Sequence, residues 1–257
     1  MKISTMQDNK NGGKMKLWAV CFWLIVWQFA SMQIGQEILL VSPVSVIQCL
    51  IREIQTPEFW HSIVSSLCKI ALGFLIAFST GILAAILSKV SRLIRDVLQP
   101  PVQVMKSVPV ASFIILCLVW IPSKNLSIFI SFIMVFPIIY SNTLQGIERT
   151  DRELLEMGAL FDIPWHRRIR YIYLSEVMPY VTTASSVALG MCWKAGIAAE
   201  VIGIPKGSIG EKLYQAKIYL NTPELFAWTV VIIIISVLFE RSVLALLHGI
   251  TKRLERI

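Results

Sequence analysis

Uncharged apolar runs alternate along this chain with short segments that hold most of the charge. A helix needs about 20 apolar residues to cross the hydrocarbon of a bilayer. About six stretches approach that length: 17–34, 70–87, 104–121, 126–144, 177–199 and 225–247. The pattern predicts an all-α, polytopic membrane helical bundle of about six transmembrane helices. The segments between them reach only about 30 residues, too few to build a core of their own. A single membrane domain over residues 1–257 is therefore expected.

Each run carries its own detail. The first follows Lys10, Lys14 and Lys16 and has no small-x-small site after it, which favours a span over a cleaved signal peptide. Residues 60–69, before the second run, are amphipathic and expected at the interface. The third is clean only over 108–121, and Pro100, Pro101 and Pro109 punctuate its approach, so a bent or broken helix is expected. Pro137 lies inside the fourth; Gly190, Lys194 and Gly196 lie inside the fifth. Thr222 is placed to cap the sixth, with Pro223 at its first helical position.

Two loops have structure written into them. In the loop 148–176, Thr150 followed by Glu153 forms a capping-box pattern, which starts a helix that ends near Leu160. Asp162 is expected to cap a second short helix, with Pro164 in its first turn and His166, Arg167, Arg168 and Arg170 along it. Phe161, Ile163 and Trp165 make an apolar bend between the two. Such a bend either packs under its own spans or inserts into a partner protein. Between the last two runs, Ser208 and Glu211 repeat the capping-box pattern. Ile209, Leu213, Ala216 and Leu220 follow at helical spacing. This predicts an interfacial helix, either a plain surface cover or a substrate gate.

Composition and charge sharpen the class. The chain is 56% hydrophobic and 16% charged, against about 25% charged in soluble domains. The formal net charge of +8 would point to nucleic acid if the basic residues shared a face with aromatics. They flank apolar runs instead, which favours the bilayer and excludes nucleic acid as a partner. Placing both termini inside puts seventeen Lys and Arg on the inner side and six outside: Arg52, Lys124, Lys194, Lys206, Lys212 and Lys217. The positive-inside rule then predicts cytoplasmic N- and C-termini in a bacterial-type plasma membrane.

The chain carries no GxxxxGK[ST] run to cradle phosphates, no metal spacing among its three histidines and no CxxC among its five cysteines. It has no evident catalytic triad or paired carboxylates. No enzyme activity and no cofactor on this chain are expected. Lys194 and Glu200 are candidates for lining a translocation path, since ionisable groups within spans often do so; the alternative is a place at the interface. The Glu240-Arg241 pair sits close enough to a span end to snorkel.

The segment EMGALFDIPWHRRIRYIYLS resembles the EAA loop of importer-type ATP-binding-cassette permeases. Glu156 falls on the motif's Glu, and Ile172 and Leu174 on its Ile and Leu. Met157 and Gly158 replace its two alanines, Asp162 its Gly and Ser175 its Pro. The stretches RIRYIYLSEVMPY, WKAGIAAEVIGIPKGSIGEKLYQAKIYLNTPELFAW and PVASFIILCLVWI are similar to the branch serving nitrate, sulfonate and taurine importers. The resemblance implies a homodimer or pseudodimer of six-span subunits, with the homodimer favoured, an external substrate-binding protein and a separate cytoplasmic ATPase that carries ATP and Mg. It also implies that Glu156, Met157, Gly158, Phe161, Asp162, Ile163, Pro164 and Arg167 dock on that ATPase. The rival expectation is an ion-coupled carrier or channel acting without an ATPase.

Overall fold

The computed structural model describes residues 17–255, and among these the chain forms helices and no strand. The N-terminal lysines Lys2, Lys10, Lys14 and Lys16 lie outside the described residues. The helices are α1 (Leu17–Ile34), α2 (Pro43–Ile54), α3 (Pro57–Val90), α4 (Arg92–Ser107), α5 (Val110–Cys117), α6 (Ser123–Glu148), α7 (Arg152–Leu160), α8 (Trp165–Arg168), α9 (Leu174–Gly203), α10 (Ile209–Ile218) and α11 (Thr222–Glu255). A π-helical turn, Ile169–Tyr173, joins α8 to α9, so Trp165–Gly203 reads as one 39-residue helix.

Among the described residues four helices are long and apolar enough to cross a membrane: α3, α6, the α8–α9 rod and α11. The bent pair α4 and α5 makes a fifth if counted as one span. The expectation of about six is thus met by four to five, with α1 as a further apolar helix of 18 residues. The third run is where the count falls short. The pair α4 and α5 turns by 109°. Val108 precedes a proline and is extended (φ −75°, ψ 130°), as the proline ring requires. Pro109 then caps α5. At 8 residues, α5 is about 12 Å long and covers less than half of the hydrocarbon.

Several local expectations shift. Residues 60–69 are not a separate interfacial segment. Thr56 accepts the Phe59 amide and Pro57 opens the helix, so α3 runs unbroken for 34 residues, about 51 Å. The cap of α11 is Asn221, whose side chain accepts the Glu224 amide; Thr222 donates instead to the Ile38 carbonyl. Leu220 leaves the face begun by Ile209, because it follows the end of α10 with φ +52° and is exposed. Ile209 and Ala216 are buried, so α10 is tucked against the bundle.

The core lies where α6 runs between α3 and α9. Ile70, Phe74 and Ala77 of α3 meet Val135 and Ile139 of α6 and Ala188, Leu189, Cys192 and Trp193 of α9. Between lipid-embedded helices there is little hydrophobic drive, so close approach over small residues carries the packing. Gly73 and Gly196 provide it around Ser131. A Cβ on Gly73 would stand 2.5 Å from the Ile128 carbonyl oxygen and 2.8 Å from Ser131 Cβ. One on Gly196 would stand 2.7 Å from Ile70 Cγ1 and 2.9 Å from Ser131 Oγ. At the other side of the bundle α11 packs on α9, α10 and α2.

Candidate functional site

The residues singled out in the 148–176 loop form a helical hairpin at one end of the bundle. It starts at Asp151, not Thr150: Asp151 Oδ1 accepts the Glu153 amide at 2.9 Å. The Thr150 hydroxyl is buried and donates to the Gly146 carbonyl. The hairpin turns at Asp162, which has φ +48°. Its amide donates to the Ala159 carbonyl at 3.2 Å, and the Ile163 amide donates to the Gly158 carbonyl at 3.0 Å. Those two bonds make a Schellman ending for α7, with Asp in the left-handed position that Gly usually takes. Asp162 therefore ends one helix and does not cap the next. Pro164 occupies the cap of α8, where no side-chain cap bond is made. Nor is α8 a free short helix, since the π-helical turn carries it straight into α9.

Two interior contacts hold the hairpin shut. Arg168 Nε donates to the Ile163 carbonyl at 2.8 Å. Gly158 is buried, and a Cβ there would stand 3.2 Å from Ile172 Cδ1. Gly158 thus sets the spacing of the two arms and presents nothing outward. Glu156, Met157, Phe161, Asp162, Pro164 and Arg167 are exposed, and Ile163 is half-buried. The apolar tip consists of Leu160 (81% exposed), Phe161 (70%) and Trp165 (73%). Leu160 was missed as a site residue because its spacing reads as the inner face of an amphipathic helix. Of the two readings of the bend, burial under its own spans fails for Phe161 and Trp165, while Ile163 is half-buried. Near its base Arg95 of α4 forms an ion pair with Glu148 at the end of α6.

Lys194 and Glu200 are not brought together. Six residues turn a helix so that the two side chains point about 120° apart. Lys194 is exposed, on an uncovered face of α9 with Val187 and Met191. Glu200 has no exposed surface. Its Oε2 accepts the Ser66 hydroxyl at 2.6 Å and the Gly210 amide at 3.4 Å. Ser66 in turn accepts the Ile209 amide at 2.9 Å. A Cβ on Gly210 would collide with the Glu200 backbone and Cβ. Glu200 therefore ties α9 to α3 and to the start of α10, while its Oε1 has no hydrogen-bond partner. Ser66 and Gly210 had no motif to announce them. Among the described residues no group of three His, Cys, Asp or Glu is placed to hold a metal ion.

The hairpin projects from the C-terminal end of α6, and Glu200 anchors the opposite end of the bundle. Comparison with known proteins bears on the chain's family. Residues 77–256 match the family described as "Binding-protein-dependent transport system inner membrane component". A putative aliphatic sulfonates transport permease protein of Bacillus subtilis is 25% identical over 223 residues, covering 86% of this chain and 80% of the relative. The taurine transport system permease protein of Escherichia coli is 24% identical over 232 residues, covering 88% and 84%. A nitrate import permease protein of Synechococcus elongatus is 30% identical over 213 residues, covering 77% and 75%.

Proposed function

We propose, for a chain that belongs to the family of binding-protein-dependent transport system inner membrane components, that it forms the translocation path of an ATP-binding-cassette importer for a small oxyanion such as a sulfonate or nitrate. The substrate class is supported by what the relatives are named for. ATP and Mg would bind a separate cytoplasmic ATPase, and an extracytoplasmic binding protein would deliver the solute. Both termini would face the cytoplasm, in keeping with the distribution of Lys and Arg.

The hairpin carries this reading. Leu160, Phe161 and Trp165 stand in the open on a rigid, hydrogen-bonded turn. Exposed aromatic anchors rimmed by charge are what a protein partner's pocket takes up. Glu156, Asp162 and Arg167 supply the polar rim, with Met157, Ile163 and Pro164 beneath the tip. Because α8 continues into α9 without a break, a push on the tip moves the whole α9 rod. Gly158 keeps the two arms in contact, so the hairpin moves as one piece. The uncovered face of α9 at Val187, Met191 and Lys194 is offered to a second copy across the path.

The test is co-purification with a co-expressed ATP-binding-cassette ATPase. Glu156→Arg combined with Phe161→Ser should abolish the complex and ATP-driven uptake in proteoliposomes. Uptake by the chain alone, driven by an ion gradient, would establish the ATPase-free carrier instead.

A further inference from the structure

The end of the bundle opposite the hairpin holds a depression that the mechanism above does not use. Helix α6 separates the two: 26 residues, or about 39 Å. The depression is about 590 Å³ and is lined by His61, Ser65, Lys69, Ser123, Lys124 and Lys206, with Ile204 and Pro205 as its floor. Three separate elements bring the lysines together: α3, the first turn of α6, and the link between α9 and α10.

That link is held in an unusual conformation. Ile204 has φ +47°, costly for a β-branched residue, and Gly207 has φ +69°. The Ile204 amide donates to the Glu200 carbonyl at 2.8 Å, and the Gly207 amide donates to Glu211 Oε2 at 2.6 Å. Both ends of the link are thus pinned, and Lys206 is presented from a fixed loop. A Cβ on Gly207 would stand 2.9 Å from His61 Cε1, so the loop lies directly against α3.

Among the described residues no carboxylate lines the depression. Among the described residues none of Lys69, Lys124 and Lys206 forms an ion pair. Lys69 lies within the electrostatic reach of buried Glu200, which leaves two ammonium groups uncompensated. Each ammonium offers three donors, and the two serines offer hydroxyls. Cations crowded together in a concave site repel one another unless an anion joins them.

We infer that this depression is a binding site for a small tetrahedral oxyanion, held by Lys69, Lys124 and Lys206 with Ser65 and Ser123. The inference rests on the proposed function only for its placement on the outer side. The same chemistry is offered by a free sulfonate or sulfate and by the phosphate of a lipid headgroup. A free solute captured here would be concentrated beside the path; a headgroup would anchor the outer rim.

The purified permease in phosphatidylcholine nanodiscs, at constant ionic strength in chloride, is titrated with radiolabelled sulfate. Displaceable binding is expected. Lys124→Gln and Lys206→Gln should each weaken it about tenfold, the equivalent of one charge-assisted hydrogen bond. Both side chains are exposed, so folding is unaffected; Lys217→Gln, outside the depression, should leave affinity unchanged. Displacement of sulfate by soluble glycerophosphoglycerol in preference to methanesulfonate assigns the site to a headgroup, and the reverse order assigns it to a free solute. Absence of displaceable binding, or equal affinity in the double variant K124Q/K206Q, overturns the site. So does a double variant that binds sulfate normally and loses only the substrate-binding protein. ATPase association measured on the same preparation separates this failure from failure of the proposed function.

Discussion

Ser66 on α3 and Glu200 on α9 meet at 2.6 Å in a region with no solvent access, and the same hydroxyl takes the Ile209 amide at 2.9 Å. One serine therefore joins three elements. Removing it strands the buried Ile209 amide and leaves Glu200 Oε2 with only the 3.4 Å bond from the Gly210 amide. The stranded amide costs about 1–3 kcal/mol. Ser66→Ala should lower the unfolding midpoint of the detergent-solubilised protein, and α10 should become the first segment cleaved in limited proteolysis. An unchanged midpoint would show that water already satisfies the cluster.

Gly73 and Gly196 should resist substitution, and Gly190 should accept it. A methyl group at either of the first two meets backbone or packed side chains at under 3 Å, whereas nothing lies within 4 Å of a Cβ on Gly190. Gly73→Ala and Gly196→Ala should each destabilise by about 1–3 kcal/mol. Gly190→Ala should leave the protein as stable, or gain up to about 1 kcal/mol from helix propensity. Unfolding curves for the three variants, run in parallel, decide it; equal losses would mean the helix crossings are looser than drawn.

Asp162 holds the left-handed position at the hairpin turn. An L residue with a side chain is strained there by about 1 kcal/mol or more relative to Gly. Asp162→Gly should therefore raise hydrogen-exchange protection of the Asp162 and Ile163 amides, which donate to Ala159 and Gly158. Asp162→Val should lower it. The reverse order would mean the Asp side chain, and not the backbone bonds, fixes the turn.

Leu160, Phe161 and Trp165 are exposed, so trimming them should cost little stability. If they fill a partner's pocket, Phe161→Ala and Trp165→Ala should each weaken ATPase binding by about 2 kcal/mol, roughly thirtyfold. Surface plasmon resonance with the immobilised ATPase measures this against an unchanged melting midpoint. Normal affinity in both variants would assign docking to another surface.

Much of the architecture was legible before any coordinates. Apolar runs marked α6, α9 and α11 because lipid forbids charge and demands a helix. Pro109 marked the break in the third segment, whereas Pro100 and Pro101 lie inside the unbroken α4. The Ser208 cap was read directly, and Ser208 Oγ does accept the Glu211 amide. The misplaced caps are instructive. Thr150 and Thr222 both fit a capping pattern, but each hydroxyl bonds elsewhere, to Gly146 and Ile38. Asp151 and Asn221, one residue away, were free to take their places.

By itself the sequence determined what the solvent enforces: an all-helical membrane protein, its break at Pro109, and a folded hairpin between α6 and α9. Those follow from local rules, in which each residue answers to the bilayer or to its own backbone. Only the tertiary structure decided that Glu200 is buried against Ser66 while Lys194 stays open. It alone showed that Gly158 faces inward, that Leu160 faces out, and that three lysines from distant segments share one depression. Such facts depend on which helix faces cross and in what register. That depends on small residues such as Gly73 and Gly196, whose hydrophobicity says nothing about where their partners lie.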